Sequence, residues 1–111
     1  MKKAIIKGEK DNVAILLQDA KLGEEVAIYN KDLKLEYNLI AKTDLPYGNK
    51  IAIKEIIKKE IIYKGNYPIG SALKNITIGE LVHVHNAQSD KINFPQSIIN
   101  EILKQMNING I

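Results

Sequence analysis

The stretch Asp19-Ala20-Lys21-Leu22-Gly23-Glu24-Glu25-Val26 recurs twice in altered form. It returns as Glu55-Ile56-Ile57-Lys58-Lys59-Glu60-Ile61-Ile62, with Lys59 in the glycine place, and as Asn75-Ile76-Thr77-Ile78-Gly79-Glu80-Leu81-Val82. The common form is a polar acceptor, an apolar residue, two variable residues, a turn residue, glutamate, a variable residue and a β-branched one. Short β-type runs precede the copies at Val13–Leu17, Ile51–Ile53 and Ser71–Leu73. Others follow at Val26–Tyr29, Ile61–Tyr63 and Leu81–His85. Each copy therefore reads as strand, tight turn, strand, because glycine tolerates positive φ and a polar first residue bonds nearby backbone. The spacing between copies is too irregular for a solenoid. The expected fold is mainly β, a small domain of crossing strands and many turns.

Outward from the repeats, Asn30-Lys31-Asp32 reads as a turn and Leu33–Ala41 as a strand. Leu45–Lys50 and Lys64–Gly70, punctuated by proline and glycine, read as loops. The tail differs. Pro95 suits a first helical turn, Ile98, Ile99, Ile102, Leu103 and Met106 share one helical face, and Asn107, Asn109 and Gly110 stop it. This divides the chain into a β domain over 1–92 and a short amphipathic C-terminal helix within 93–111. About three turns are marginal alone in water, so the stripe must dock, on this chain's own β body or on a partner chain.

Composition narrows the function. At 111 residues the chain is one modest core, not a two-domain enzyme. With 45% apolar and 26% charged residues it is globular. It carries no cysteine, which excludes disulfide scaffolds, zinc ribbons and thiol catalysis. No apolar run spans a bilayer, and Met1-Lys2-Lys3-Ala4-Ile5-Ile6-Lys7 is too short and too soon charged for a secretory signal. A cytoplasmic protein is expected. The net charge of +3 hints at nucleic acid, yet all 16 basic residues are lysine and are scattered among 13 acids. The six aromatic residues form no stacking pattern. Neither nucleic acid nor membrane is expected as a partner.

Only His83 and His85 are histidines, in Leu81-Val82-His83-Val84-His85-Asn86. On a strand, residues two apart project the same way, so both imidazoles would share a face while Val82 and Val84 enter the core. That spacing can chelate one divalent ion, and neutral imidazole favours iron, manganese, zinc, copper or nickel. Two ligands do not close a site. The bare alternative is a pair of half-exposed strand histidines.

The surrounding residues resemble the SAF-type (β-clip) domain of the altronate and galactarate dehydratase family, which also includes the small subunit of sulfolactate sulfo-lyase. The matching residues are Gly48-Asn49-Lys50, Ile51-Ala52-Ile53-Lys54, Glu55-Ile56 and Glu60, then Tyr63-Lys64-Gly65-Asn66-Tyr67-Pro68-Ile69-Gly70. Ala72, Asn75-Ile76, Gly79-Glu80 and Val82-His83-Val84-His85-Asn86 complete the pattern, and Asp11-Asn12-Val13-Ala14 matches its start. Asn49 stands where the family has histidine, Gly65-Asn66 replaces Tyr-Gly, and Glu55 and Asn75 replace aspartates, a change that looks structural. The tail after Lys91 lies outside the pattern.

The resemblance implies a β-clip fold and a lyase that removes water or sulfite from a 2-hydroxy acid with a divalent metal, iron first and manganese second. It points to His83 and His85 as metal ligands and, with Lys50, as catalytic groups. Lys64 and Asn86 would bind a sugar-acid substrate, Lys50 and Lys64 by pairing with its carboxylate; Asn86 is equally a turn former. A larger domain would supply the remaining ligands and the base. The chain is then the small subunit of a two-subunit dehydratase, inert alone, with a homo-oligomer left open. The alternatives are a non-catalytic β-clip module for a sugar acid or protein partner, and a structural subunit whose histidines only pack.

Overall fold

The computed structural model describes residues 1–89 and 94–111. The expected boundary after residue 92 lies outside them. Six strands form a mixed sheet: β1 (Lys2–Ile5), β2 (Val13–Leu16), β3 (Glu25–Tyr29), β4 (Leu35–Ile40), β5 (Lys50–Ala52) and β8 (Leu81–Val82). Their order is β4-β3-β1-β2-β5-β8, and β1–β3 is the parallel pair. A second, antiparallel sheet holds β6 (Ile61–Lys64), β7 (Tyr67–Ala72) and β9 (Ala87–Ser89). The fold is mainly β, as the repeats predict. Its strands are short, and the lysine-flanked β1 and the polar β9 were not expected.

The turns organise it. Two pairs of turns clasp each other, and the segment read as the loop Leu45–Lys50 belongs to a fourth copy, Asp44-Leu45-Pro46-Tyr47-Gly48-Asn49. In the first pair, Ala20 and Leu45 exchange N–H···O bonds of 2.9 and 2.8 Å. Tyr47 N–H donates to Asp19 Oδ1 (2.8 Å), and Leu22 N–H donates to Asp44 Oδ1 (2.9 Å). The second pair repeats this. Ile56 and Ile76 exchange bonds of 2.9 and 2.7 Å, while Lys58 N–H donates to Asn75 Oδ1 (2.9 Å) and Ile78 N–H to Glu55 Oε1 (3.4 Å). The first residue of each copy thus needs only an acceptor oxygen. Aspartate, glutamate and asparagine all serve, so the departures at Glu55 and Asn75 are structural.

The fifth residue of each copy has positive φ: Gly23 90°, Gly48 81°, Lys59 78° and Gly79 96°. Its N–H bonds the strand end ahead of the partner turn, as in Gly79 N–H to Ala52 O and Lys59 N–H to Ala72 O, both 2.8 Å. Lys59 carries the steric cost of a left-handed L-residue. Gly79 has a second constraint, since a Cβ there would lie 2.4 Å from the Ile40 carbonyl oxygen.

The strands between the turns divide two cores. Alternate residues of β2, β5 and β8 face opposite ways. Leu16, Ile51 and Leu81 join Val26, Ile28 and Leu45 in one cluster. Val13, Ala52 and Val82 join Ile56, Ile62 and Ile76 in the other. The segment expected as the loop Lys64–Gly70 is instead the β6–β7 hairpin, whose tip is Gly65-Asn66 with φ of 60° and 68°.

Helix α1 spans Gln96–Met106, with Pro95 before it and Asn107 left-handed after it (φ 52°). The end of the tail is tied to the β body. Asp44 Oδ2 accepts from Asn109 N–H (3.1 Å) and Asn109 Nδ2 (2.8 Å), and Asn109 O accepts from Asp44 N–H (2.9 Å). Met106, the last residue of the stripe, and Ile108 beyond the helix pack on the first core, while Ile98 is exposed and no helical residue is fully buried. No helix among the described residues is long and apolar enough to cross a membrane.

Substitutions at the fifth turn position are expected to rank by these constraints in urea unfolding. Gly23, with open space around it, should lose about 1–2 kcal/mol on change to alanine, from φ alone. Gly79→Ala should lose more, and Lys59→Gly should gain about 1 kcal/mol. An equal loss at Gly23 and Gly79 would contradict the close approach to Ile40.

Candidate functional site

The two histidines do not lie on a strand. β8 ends at Val82, and His83–Asn86 form a turn closed by Asn86 N–H and Ala87 N–H to His83 O (3.1 and 2.9 Å). The physical reason is Asn86. Its Oδ1 accepts from His83 N–H (2.9 Å) and its Nδ2 donates to Leu81 O (2.8 Å), so a buried side chain replaces the ladder partners of a longer strand. Strand alternation therefore does not govern these residues. Val84 is half-buried and lines a cavity instead of entering the core. The turn-forming reading of Asn86 matches its two backbone bonds.

That cavity has a volume of about 460 Å³ and opens between the β6–β7–β9 sheet, the histidine turn and the start of α1. Lys50 and His83 share its wall. They meet because β5 pairs with β8 in a register that sets Lys50 opposite Val82. His85, Lys64 and Asn86 are not among its lining residues. Phe94 and Ile99 are, so the tail contributes to a wall that the motif could not reveal. The amphipathic stripe was the available signal, and it named Ile99 without saying where the helix would lie.

Lys64 stands exposed at the hairpin tip, which a buried Asp11 fixes. Asp11 accepts from Gly8 N–H (3.0 Å), Gly65 N–H (2.8 Å) and Asn66 N–H (2.9 Å). Asn12 ties the same hairpin to β2, donating to Ile61 O and accepting from Tyr63 N–H, both 2.9 Å. The Asp11-Asn12 pair is thus a structural knot that positions Lys64. At the family's histidine position, Asn49 Nδ2 donates weakly to Pro46 O (3.3 Å) and Tyr47 O (3.4 Å), so it secures its own turn.

The electrostatics run one way. Burial, then the charge of Lys64, lowers the pKa of Lys50. Burial, then Lys50, lowers that of His83. Burial, then Lys74 and His83, lowers His85 to about 4. Both imidazoles are therefore neutral at pH 7, the form that ligates metals. His85 Nδ1 is also buried with no hydrogen-bond partner among the described residues. Two neutral imidazoles, one with an orphaned nitrogen, suit a transition-metal cation, but no group of three or more potential metal-binding His, Asp and Glu side chains forms among the described residues. The two histidines would supply only part of a metal site.

Comparison with known proteins agrees with this architecture. The family described as the altronate/galactarate dehydratase SAF domain matches residues 2–90. The chain belongs to that family. Altronate dehydratase from Bacillus subtilis (strain 168) is 36% identical over 90 residues, covering 81% of this chain and 17% of the relative. The Escherichia coli (strain K12) altronate dehydratase is 36% identical over 80 residues, covering 72% of this chain and 15% of the relative. The chain therefore spans less than a fifth of these enzymes. The (2R)-sulfolactate sulfo-lyase subunit alpha of Chromohalobacter salexigens is 31% identical over 64 residues, covering 58% of this chain and 66% of the relative.

The depressed His85 pKa sets a pH dependence for the metal-free protein. An unfolded histidine binds its proton near pH 6.5, whereas the folded one holds out to about 4. Between these values the unfolded state binds more protons, so stability is full above 6.5 and falls as pH drops toward 4. Urea unfolding across that window should show the slope, and His85→Asn should flatten it. An unchanged slope in the variant would rule His85 out as its source.

Proposed function

We infer that this chain is the small subunit of a metal-dependent sugar-acid dehydratase, a hydro-lyase acting on altronate- or galactarate-like 2-hydroxy acids and inactive without a large subunit. The observation that carries the reading is Lys50 beside His83 on one cavity wall, within a domain of the dehydratase family. Two further facts support it. The matched part of the altronate dehydratases is a small fraction of their length, and the sulfo-lyase relatives are themselves named as subunits.

Dehydration of such an acid removes the proton α to the carboxylate and expels the β-hydroxyl as water, leaving an enol that becomes the 2-keto acid. The Lys50 ammonium, with Lys64 behind it, attracts the substrate carboxylate. Burial loosens the proton on Lys50 Nζ, which suits it to assist a departing hydroxyl. The neutral imidazole of His83 has a lone pair that can receive a proton or hold a cation. A divalent cation bound through His83 and His85, ferrous iron first and manganese second, would act as a Lewis acid on the carboxylate as its charge grows. The base and the other ligands belong to the large subunit. Asn86 keeps both histidines on one short turn.

A second reading has its own observation. Asn49 replaces a family histidine and is committed to its turn, which favours a non-catalytic β-clip module that binds a sugar acid or a protein. The two are separated by purifying the tagged chain anaerobically from its native extract with ferrous iron. Co-purification of a large dehydratase-family chain, with turnover of altronate, galactarate or sulfolactate, is expected for the subunit. His83→Ala/His85→Ala should then lower turnover by about 10²–10⁴-fold, the range for a positioned proton-transfer group, without loss of assembly. Sugar-acid binding by the isolated chain with no large partner would favour the binding module. Full turnover by the double variant would leave the histidines a packing role.

A further inference from the structure

The hydrogen bonds that tie the end of the tail to the β body all join Asp44 to Asn109. Asp44 divides its oxygens between two tasks. Its Oδ1 takes Leu22 N–H within the clasp of the first turn pair, and its Oδ2 takes both the backbone and the side-chain N–H of Asn109. Position 109 therefore needs a side chain that donates. An aspartate of the same shape would set carboxylate against carboxylate. Position 110 needs glycine, since its φ is 93° and a Cβ there would lie 2.7 Å from Lys42 O and 2.8 Å from Thr43 Cα. Two structural demands thus place asparagine directly before glycine. Of the eleven asparagines in the chain, Asn109 is the only one followed by glycine.

That order has a chemical consequence. The backbone nitrogen after an asparagine can reach the side-chain carbon and close a five-membered ring, and a side chain on the following residue hinders the approach. Glycine has none. Asn109 and Gly110 are both exposed, so water reaches them, and among the described residues Gly110 N–H donates to no acceptor. We propose that Asn109 is a self-modifying site, and that its deamidation unfastens the tail from the β body. Gly110 N gives its proton to water and bonds to Asn109 Cγ. The Cγ–Nδ2 bond breaks, and the amide nitrogen leaves with a proton as ammonia. Water then opens the succinimide. Breaking the new N–Cγ bond gives aspartate, and breaking the bond to the main-chain carbonyl gives isoaspartate. One water enters and one ammonia departs, with no change of oxidation state.

Either product replaces the donating amide with a carboxylate at Asp44 Oδ2. The N–H groups of Leu22 and then of Asn109 lower the pKa of Asp44, so two anions meet where a hydrogen bond stood. The ring closes only when the Asn109 side chain turns away from Asp44, so the latch itself sets the pace and the change accumulates with age. Release frees Ile108 and Met106 from the first core and loosens the wall that Phe94 and Ile99 give the cavity. The inference is independent of the catalytic reading.

The test ages the full-length chain at mildly alkaline pH and maps it by peptide mass spectrometry. Asn109 should turn to acid ahead of the other ten asparagines, with isoaspartate at that position, and Asn109→Gln should stay unmodified there. Amide exchange followed by NMR reads the release. Asp44 N–H, which donates to Asn109 O, should exchange about tenfold faster in the aged protein and in Asn109→Asp, the factor that one hydrogen bond to a charged group commands. Ala20 N–H, inside the clasp, should not change. If Asn109→Asp fails to fold, the aged protein decides alone. Deamidation at Asn109 no faster than at the other asparagines would overturn the site. Unchanged exchange at Asp44 after modification would overturn the release.

Discussion

Everything in this molecule hangs on the mutual clasp of paired turns. Each turn offers one side-chain oxygen to its partner's backbone N–H, and the two exchange a pair of backbone hydrogen bonds. A lone tight turn leaves polar groups that water must satisfy. Facing turns satisfy each other, which lets Leu45, Ile56 and Ile76 sit fully buried beside backbone polar groups. The clasp also sets strand direction, since each turn fastens the end of the strand that feeds its partner. Short strands suffice because the turns hold their ends.

The candidate site is a by-product of that arrangement. The second pair of turns brings β5 beside β8, and their register puts Lys50 next to the histidine turn. Asn86 then ends β8 early and bends the chain, so that His83 lines the cavity while His85, on the same turn, is not among its lining residues. Partial burial, then the cationic neighbours, keeps both rings neutral, and the described residues bring no third metal-binding group. In the altronate dehydratases that the chain matches, the corresponding segment is a small fraction of the whole.

Much of this was legible in the residues. Three of the four turns announce themselves by glutamate after a turn residue and by an acceptor six residues ahead of the next strand. The fourth hides because Asn49 replaces glutamate and proline disguises it as a loop. Gly65-Asn66 likewise looked like part of a loop, although two consecutive residues at positive φ make a tight hairpin tip. The motif Val82-His83-Val84-His85-Asn86 exposed the candidate chemistry, yet its alternation was misleading. Asparagine at the end competes for the backbone, and a local hydrogen bond outweighs strand propensity.

The sequence by itself determined the class of fold, three of the four clasped turns, the helical tail and the candidate residues for chemistry, because these follow from local backbone preferences and side-chain type. Only the tertiary structure decided which turns pair, that Lys50 and His83 share a cavity while His85 and Lys64 lie outside it, and that Phe94 and Ile99 help wall it. Those facts depend on contacts between residues far apart in the chain. No local preference encodes them; they arise when the two cores close around β2, β5 and β8 and leave each turn one partner within reach.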